Sequence, residues 1–149
     1  MIIVESIITD LITQRSLKHD VVQLAWENRQ KCRQRLKTRA GTEIGLALPT
    51  GTILFPGDIL YRDPAVEVVV EGVPEKVFNL RLGTREQFGL ACYQIGNLHR
   101  PIGLHDGAVL VPYEPVLEGQ LTRLGFDYTI EEQIFTHAVR QPGAHVHVH

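Results

Sequence analysis

Short apolar, β-branched runs broken by turn residues fill the first half of the chain. VVQLAW (21–26), TEIGLAL (42–48), TILF (52–55), ILY (59–61) and VEVVVEG (66–72) read as strands, with PTG and PGD as turns between them. No long amphipathic segment intervenes, so the pattern predicts a small all-β unit ending near Gly72-Val73-Pro74.

The second half has a different rhythm. VFNLRL (77–82) is a strand, and Thr84 with Gln87 forms a capping box that opens a helix carrying Phe88, Ala91, Cys92, Ile95 and Leu98 on one stripe. PIGLH and AVLVPY flank Asp106-Gly107, a two-residue hairpin signal. Pro115 suits a first helical turn, Leu117, Leu121 and Leu124 make one apolar face, and Gly125 supplies the stop. DYTIEEQIF (127–135) is the last strand. Residues 75–136 thus run β-α-β-β-α-β, the ferredoxin-like order, in which two helices cover one face of an antiparallel sheet and leave the other face and the helix ends open to a partner. The predicted class is α+β: a small all-β domain over 1–73, a ferredoxin-like domain over 74–138, and a flexible histidine-bearing tail over 139–149.

Composition narrows the class further. With 44% apolar and 21% charged residues and a net charge of −2 over 149 residues, the chain reads as a soluble globular protein, not a disordered or nucleic-acid-coating one. MIIVESIITDL is broken by Glu5 and Asp10 and lacks a basic stretch, unlike a signal peptide. No run approaches the roughly 18 apolar residues of a membrane span, so a cytoplasmic location without membrane contact is expected. Cys32 and Cys92 form no CxxC pair, which argues for plain thiols over a disulfide framework or zinc knuckle.

Two groups of residues could carry chemistry. His99 follows the first predicted helix of the second half. If the helix reaches it, the imidazole joins the apolar stripe; if Gly96-Asn97 ends the helix and Pro101 bars continuation, it sits at the C-terminus or on the exit loop. Either a core histidine bonded to a carbonyl or a metal ligand fits. The terminal GAHVHVH places His145, His147 and His149 on one side of an extended chain, about 6.6 Å apart, as a chelating comb or as a frayed end. Imidazole suits Ni(II), Zn(II) and Cu(II) alike. His19, His105 and His137 have no such setting.

The other group is WENRQKCRQRLKTRA. Arg29, Lys31, Arg33, Arg35, Lys37 and Arg39 occupy every odd position, and with Glu27 the segment sums to +5. In a strand all six share one face. Such a ribbon could meet phosphates of a nucleic acid, meet an acidic protein, or keep an edge strand soluble. No GxSxG elbow, P-loop or HExxH occurs, so no enzyme is expected.

RQKCRQRLKTRAGTEIGLALPTGTILFPGDILY (29–61), YQIGNLHRPIG (93–103), PVLEGQLTRLG (115–125) and the histidine-bearing C-terminus together resemble the urease accessory protein UreE family of nickel metallochaperones. The resemblance runs from about residue 20 onward. It implies an N-terminal domain like a peptide-binding module, a ferredoxin-like metal-binding domain, and a homodimer joined through the C-terminal domains. It also implies that His99 meets its twin across the two-fold axis to bind Ni(II), with His145, His147 and His149 adding ligands, His147 foremost. The basic residues 29–39 would face the urease accessory GTPase and the urease apoprotein complex, with no nucleic acid. Many members carry histidines beside the acidic residue that opens the second helix; here the chain reads Tyr113-Glu114-Pro115, which puts auxiliary sites there in doubt.

Overall fold

A computed structural model describes residues 1–9 and 17–140. They divide into two units, one of Met1–Gly72 joined by Arg140, the other of Val73–Val139.

The first unit holds β1 (Ile2–Val4), β2 (Lys18–Leu24), the one-turn α1 (Trp26–Arg29), β3 (Arg33–Lys37), β4 (Glu43–Ala47), β5 (Ile59–Arg62) and β6 (Val66–Gly72). They form two three-stranded sheets, ordered β1-β4-β3 and β2-β6-β5. Alternation turns one face of each toward a shared core of Val4, Ile44 and Leu46 with Val22, Val68 and Val70, all nearly inaccessible. Full burial of one such aliphatic side chain is worth about 1.5–3 kcal/mol.

Three expectations change here. The strand foreseen over 21–26 starts at Lys18 and stops at Leu24, and Trp26 opens α1. TILF is not a strand: Leu54 is buried as coil, its N–H bonding the Arg29 carbonyl at 2.8 Å and that of Phe55 the Asp58 carboxylate at 2.8 Å. Arg29 leaves the basic row altogether. It ends α1, is 1% exposed, donates from Nε to the Leu24 carbonyl at 3.2 Å and lies 5.7 Å from the Trp26 ring centre. Only residues 33–37 of the expected ribbon over 29–39 form a strand, because the chain before Lys31 is turned into the helix.

The second unit holds β7 (Glu75–Arg81), α2 (Arg85–Asn97), β8 (Gly103–His105), β9 (Ala108–Pro112), α3 (Pro115–Leu124) and β10 (Thr129–Gln133). The sheet order is β10-β7-β9-β8 with every neighbour antiparallel, which is the ferredoxin-like arrangement. Phe78, Leu80, Val109 and Val111 on one sheet face bury Ala91 and Ile95 of α2 and Leu117 and Leu121 of α3. Leu124, expected on that stripe, stays 37% exposed in the last turn. Both cysteines are free and half-buried; burial pushes the Cys92 thiol up.

The opposite sheet face is not left wholly open. After Gln133 the chain leaves β10 and crosses toward β8, where Ala138 N–H bonds the Ile102 carbonyl at 2.7 Å. Phe135, expected as the end of a strand, is wholly buried against Gly103. A Cβ on Gly103 would stand 2.5 Å from the Thr136 carbonyl oxygen, so glycine is required there by close approach.

Candidate metal centre

The site begins with a helix whose two ends are both fixed by sequence. At the start, the Thr84 hydroxyl accepts from Gln87 N–H at 3.1 Å and the Gln87 side chain accepts from Gly83 N–H at 3.1 Å. Ala91 and Ile95 then bury their side chains, with Phe88, Cys92 and Leu98 half-buried beside them. This stripe fixes which way the C-terminal turn faces.

At the end, Arg100 N–H reaches back to the Ile95 carbonyl at 3.3 Å and His99 N–H to the Gly96 carbonyl at 2.9 Å. The two bonds, six-to-one and five-to-two, make a Schellman motif. Its left-handed residue is His99, at φ 57°. Glycine is the ordinary occupant of that position, and a non-glycine residue there costs on the order of 1 kcal/mol or more. Of the two placements the sequence allowed, the second holds: the helix stops at Asn97, and the His99 imidazole is exposed instead of joining the stripe. It is not a core histidine. Among the described residues no hydrogen bond or ion pair occupies its ring, so the one lone-pair nitrogen of a neutral imidazole is open to a ligand.

Flanking groups hold this loop in place. The Arg100 guanidinium pairs with the Glu114 carboxylate, the residue that precedes α3. Pro101 bars helical continuation, and Ile102 is tied to Ala138 as above. The loop is therefore pinned to the start of α3 on one side and to the chain's final described segment on the other.

The remaining histidines stand elsewhere. His105 opens the hairpin turn, exposed, with Nε2 3.2 Å from the Asp106 carboxylate. His137 is half-buried and turns Nδ1 to the Val139 backbone, 3.0 Å from its nitrogen. His19 is exposed, 3.8 Å from Glu67. His145, His147 and His149 lie outside the described residues. Among the described residues, no three His, Cys, Asp or Glu side chains converge to hold a metal ion. Among the described residues, His99 is the histidine whose ring makes no hydrogen bond or ion pair.

Tyr113 and Pro115, on either side of Glu114, each have a structural place. Tyr113 packs its ring on Phe78 at 5.1 Å and donates its hydroxyl to Glu118 at 2.7 Å, a bond that holds the phenol above its usual pKa. Pro115 fills the first position of α3, where its missing N–H costs nothing. Neither position presents a metal ligand.

The basic row is the second surface. Arg33, Arg35 and Lys37 alternate with half-buried Gln34 and Leu36 along β3, all three exposed. Lys31 precedes the strand, exposed, and Arg39 follows it, its guanidinium 3.6 Å from Glu71. Five of the six expected cations are therefore at the surface, three in strict register.

Comparison with known proteins covers nearly the whole chain. Residues 4–71 match the family description "UreE urease accessory protein, N-terminal domain", and residues 75–149 match its C-terminal domain. A protein of Deinococcus radiodurans named urease accessory protein UreE is 38% identical over 114 residues, which cover 76% of this chain and 74% of that one. One of the same name from Geobacillus kaustophilus is 32% identical over 143 residues, covering 95% and 97%.

Proposed function

The chain belongs to the UreE urease accessory protein family, and from that premise we propose that it carries Ni(II) to apo-urease during assembly of the urease active site. It is an accessory protein of urease maturation; in our reading its metal is cargo and it turns over no substrate of its own. The observation that carries the proposal is His99, an exposed imidazole on a left-handed residue at the end of a fully capped helix. Strain kept at one residue is a reason to seek a role for its side chain.

A single imidazole holds a divalent ion poorly. In a homodimer joined through the C-terminal domains, a two-fold axis beside α2 would set each His99 against its own copy, making two ligands from one residue. The tail can complete the coordination. His145 stands seven positions after Ala138, a span of at most about 25 Å, and His99 three positions before Ile102, at most about 11 Å.

Ligands supplied by a segment that must be ordered on binding lower affinity and let the ion leave when the segment is drawn away. That lability suits delivery. Zn(II) and Cu(II) would enter the same nitrogen ligands, Cu(II) more tightly, so delivery to urease depends on the partner as well as on affinity. The unit of Met1–Gly72 would face those partners, the urease accessory GTPase and the apoprotein complex, in the cytoplasm, through Lys31, Arg33, Arg35, Lys37 and Arg39. No helix among the described residues is long and apolar enough to cross a membrane.

The test is transfer. Protein loaded with nickel and freed of excess ion should activate apo-urease, and His99→Ala protein prepared alike should not. Equal activation by the two would reject the assignment.

A further inference from the structure

Strand β3 is a sheet edge whose charged residues and unused backbone groups coincide. The bonds from Leu48 N–H to the Cys32 carbonyl and from Thr38 N–H to the Thr42 carbonyl, both 2.9 Å, bracket the ladder between β3 and β4. In an antiparallel ladder hydrogen-bonded and non-bonded pairs alternate, so the even-numbered residues of β3 bond β4. Arg33, Arg35 and Lys37, opposite Ala47, Gly45 and Glu43, therefore point their own N–H and C=O groups away from β4. β3 ends its sheet, and among the described residues no strand pairs with that outer side.

An edge in this state accepts another strand. Charge decides which strand. A second copy of β3 laid alongside would oppose cations to cations, which is destabilising for directly opposed residues. An acidic segment would turn each opposed pair into an attractive one.

We propose that β3 takes up an acidic extended segment of a partner protein as an added antiparallel strand, its carboxylates set against Arg33, Arg35 and Lys37. The residues opposite these three form hydrogen-bonded pairs, so the carboxylate-bearing residues are the ones whose N–H groups must reach β3. This deepens, and rests on, the reading of the row as the partner-facing surface.

The probe is a fluorescein-labelled alternating Glu-Val peptide titrated into the full-length protein by fluorescence polarisation. Two further peptides carry N-methyl groups, one on every Glu and one on every Val. The Glu-methylated peptide should bind about tenfold or more weakly, the Val-methylated peptide close to the parent, and a Lys-Val peptide not at all. The triple variant R33E/R35E/K37E, checked for native circular dichroism, should lose the Glu-Val peptide by a similar factor; if it fails to fold, the methylated pair on the unaltered protein decides. Equal binding of both methylated peptides would overturn the added strand, and so would a DNA duplex bound more tightly than the Glu-Val peptide. Nickel titration on the same preparation separates the two readings. Protein that takes nickel and ignores the peptide refutes the docking alone, and protein that takes the peptide without nickel refutes the carrier alone.

Discussion

The exit of α2 and the edge at β3 are both exposed and polar, and they are built in opposite ways. At α2 the backbone amides of His99 and Arg100 are already bonded, and one strained residue presents one imidazole. At β3 the odd-numbered backbone groups pair with no strand among the described residues, and three residues present three cations. A fixed backbone with a single side chain suits a small ion, which demands defined ligand positions. An unused ladder with a charge row suits a polymer, which brings its own backbone.

The contrast can be broken most severely at His99. Replacing it by glycine should remove the nickel site proposed above and at the same time stabilise the fold by about 1 kcal/mol, since glycine adopts the left-handed conformation without steric cost. A nickel titration paired with a thermal melt reads both, and a lower melting temperature would show that the imidazole is structural. Gly103→Ala should destabilise the second unit by about 1–3 kcal/mol, because the new methyl meets the Thr136 carbonyl at 2.5 Å and backbone must shift. Chemical denaturation measures it, and an unchanged midpoint would mean that the crossing segment is loosely held. Thr84→Ala should cost about 1 kcal/mol through loss of the N-cap.

A smaller effect concerns acid. Asn79 donates to the Glu131 carboxylate at 2.6 Å and Gln133 does likewise at 2.6 Å, which holds that carboxyl below its usual pKa. A group depressed on folding stabilises the fold above its unfolded pKa, about 4.3 for glutamate, and loses that contribution as pH falls through the lower folded value. Melts taken between neutral and strongly acidic pH should show wild type losing more stability than Glu131→Gln across that window, and parallel curves would remove Glu131 from the pH response.

How much of this was legible in the chain depends on how local each signal is. Thr84 with Gln87 named the start of α2, Asp106-Gly107 named the hairpin, both residues now at positive φ, and Pro115 and Gly125 bounded α3. Each rests on backbone preferences of a few residues. What escaped was set at a distance. β1 pairs in parallel with β4, a partner some forty residues on, and three residues give too little alternation to announce a strand. TILF has strand composition, yet Leu54 serves the core from coil because its amide bonds Arg29. Charge periodicity included Arg29 in the row, since spacing cannot report that a nearby Trp26 and the Leu24 carbonyl draw the guanidinium inward. For the site, GNLH located the histidine, but its left-handed conformation had a readable cause as well: a helix stopped short of Pro101 needs a C′ residue, and His99 occupies the slot where glycine was absent.

The most direct test of the central claim, that two copies of His99 share one ion, is nickel stoichiometry in protein lacking residues 145–149, measured by isothermal titration beside sedimentation. We predict one nickel per two chains, lost in His99→Gly while the dimer persists. One nickel per chain, or binding unaltered by His99→Gly, would contradict it.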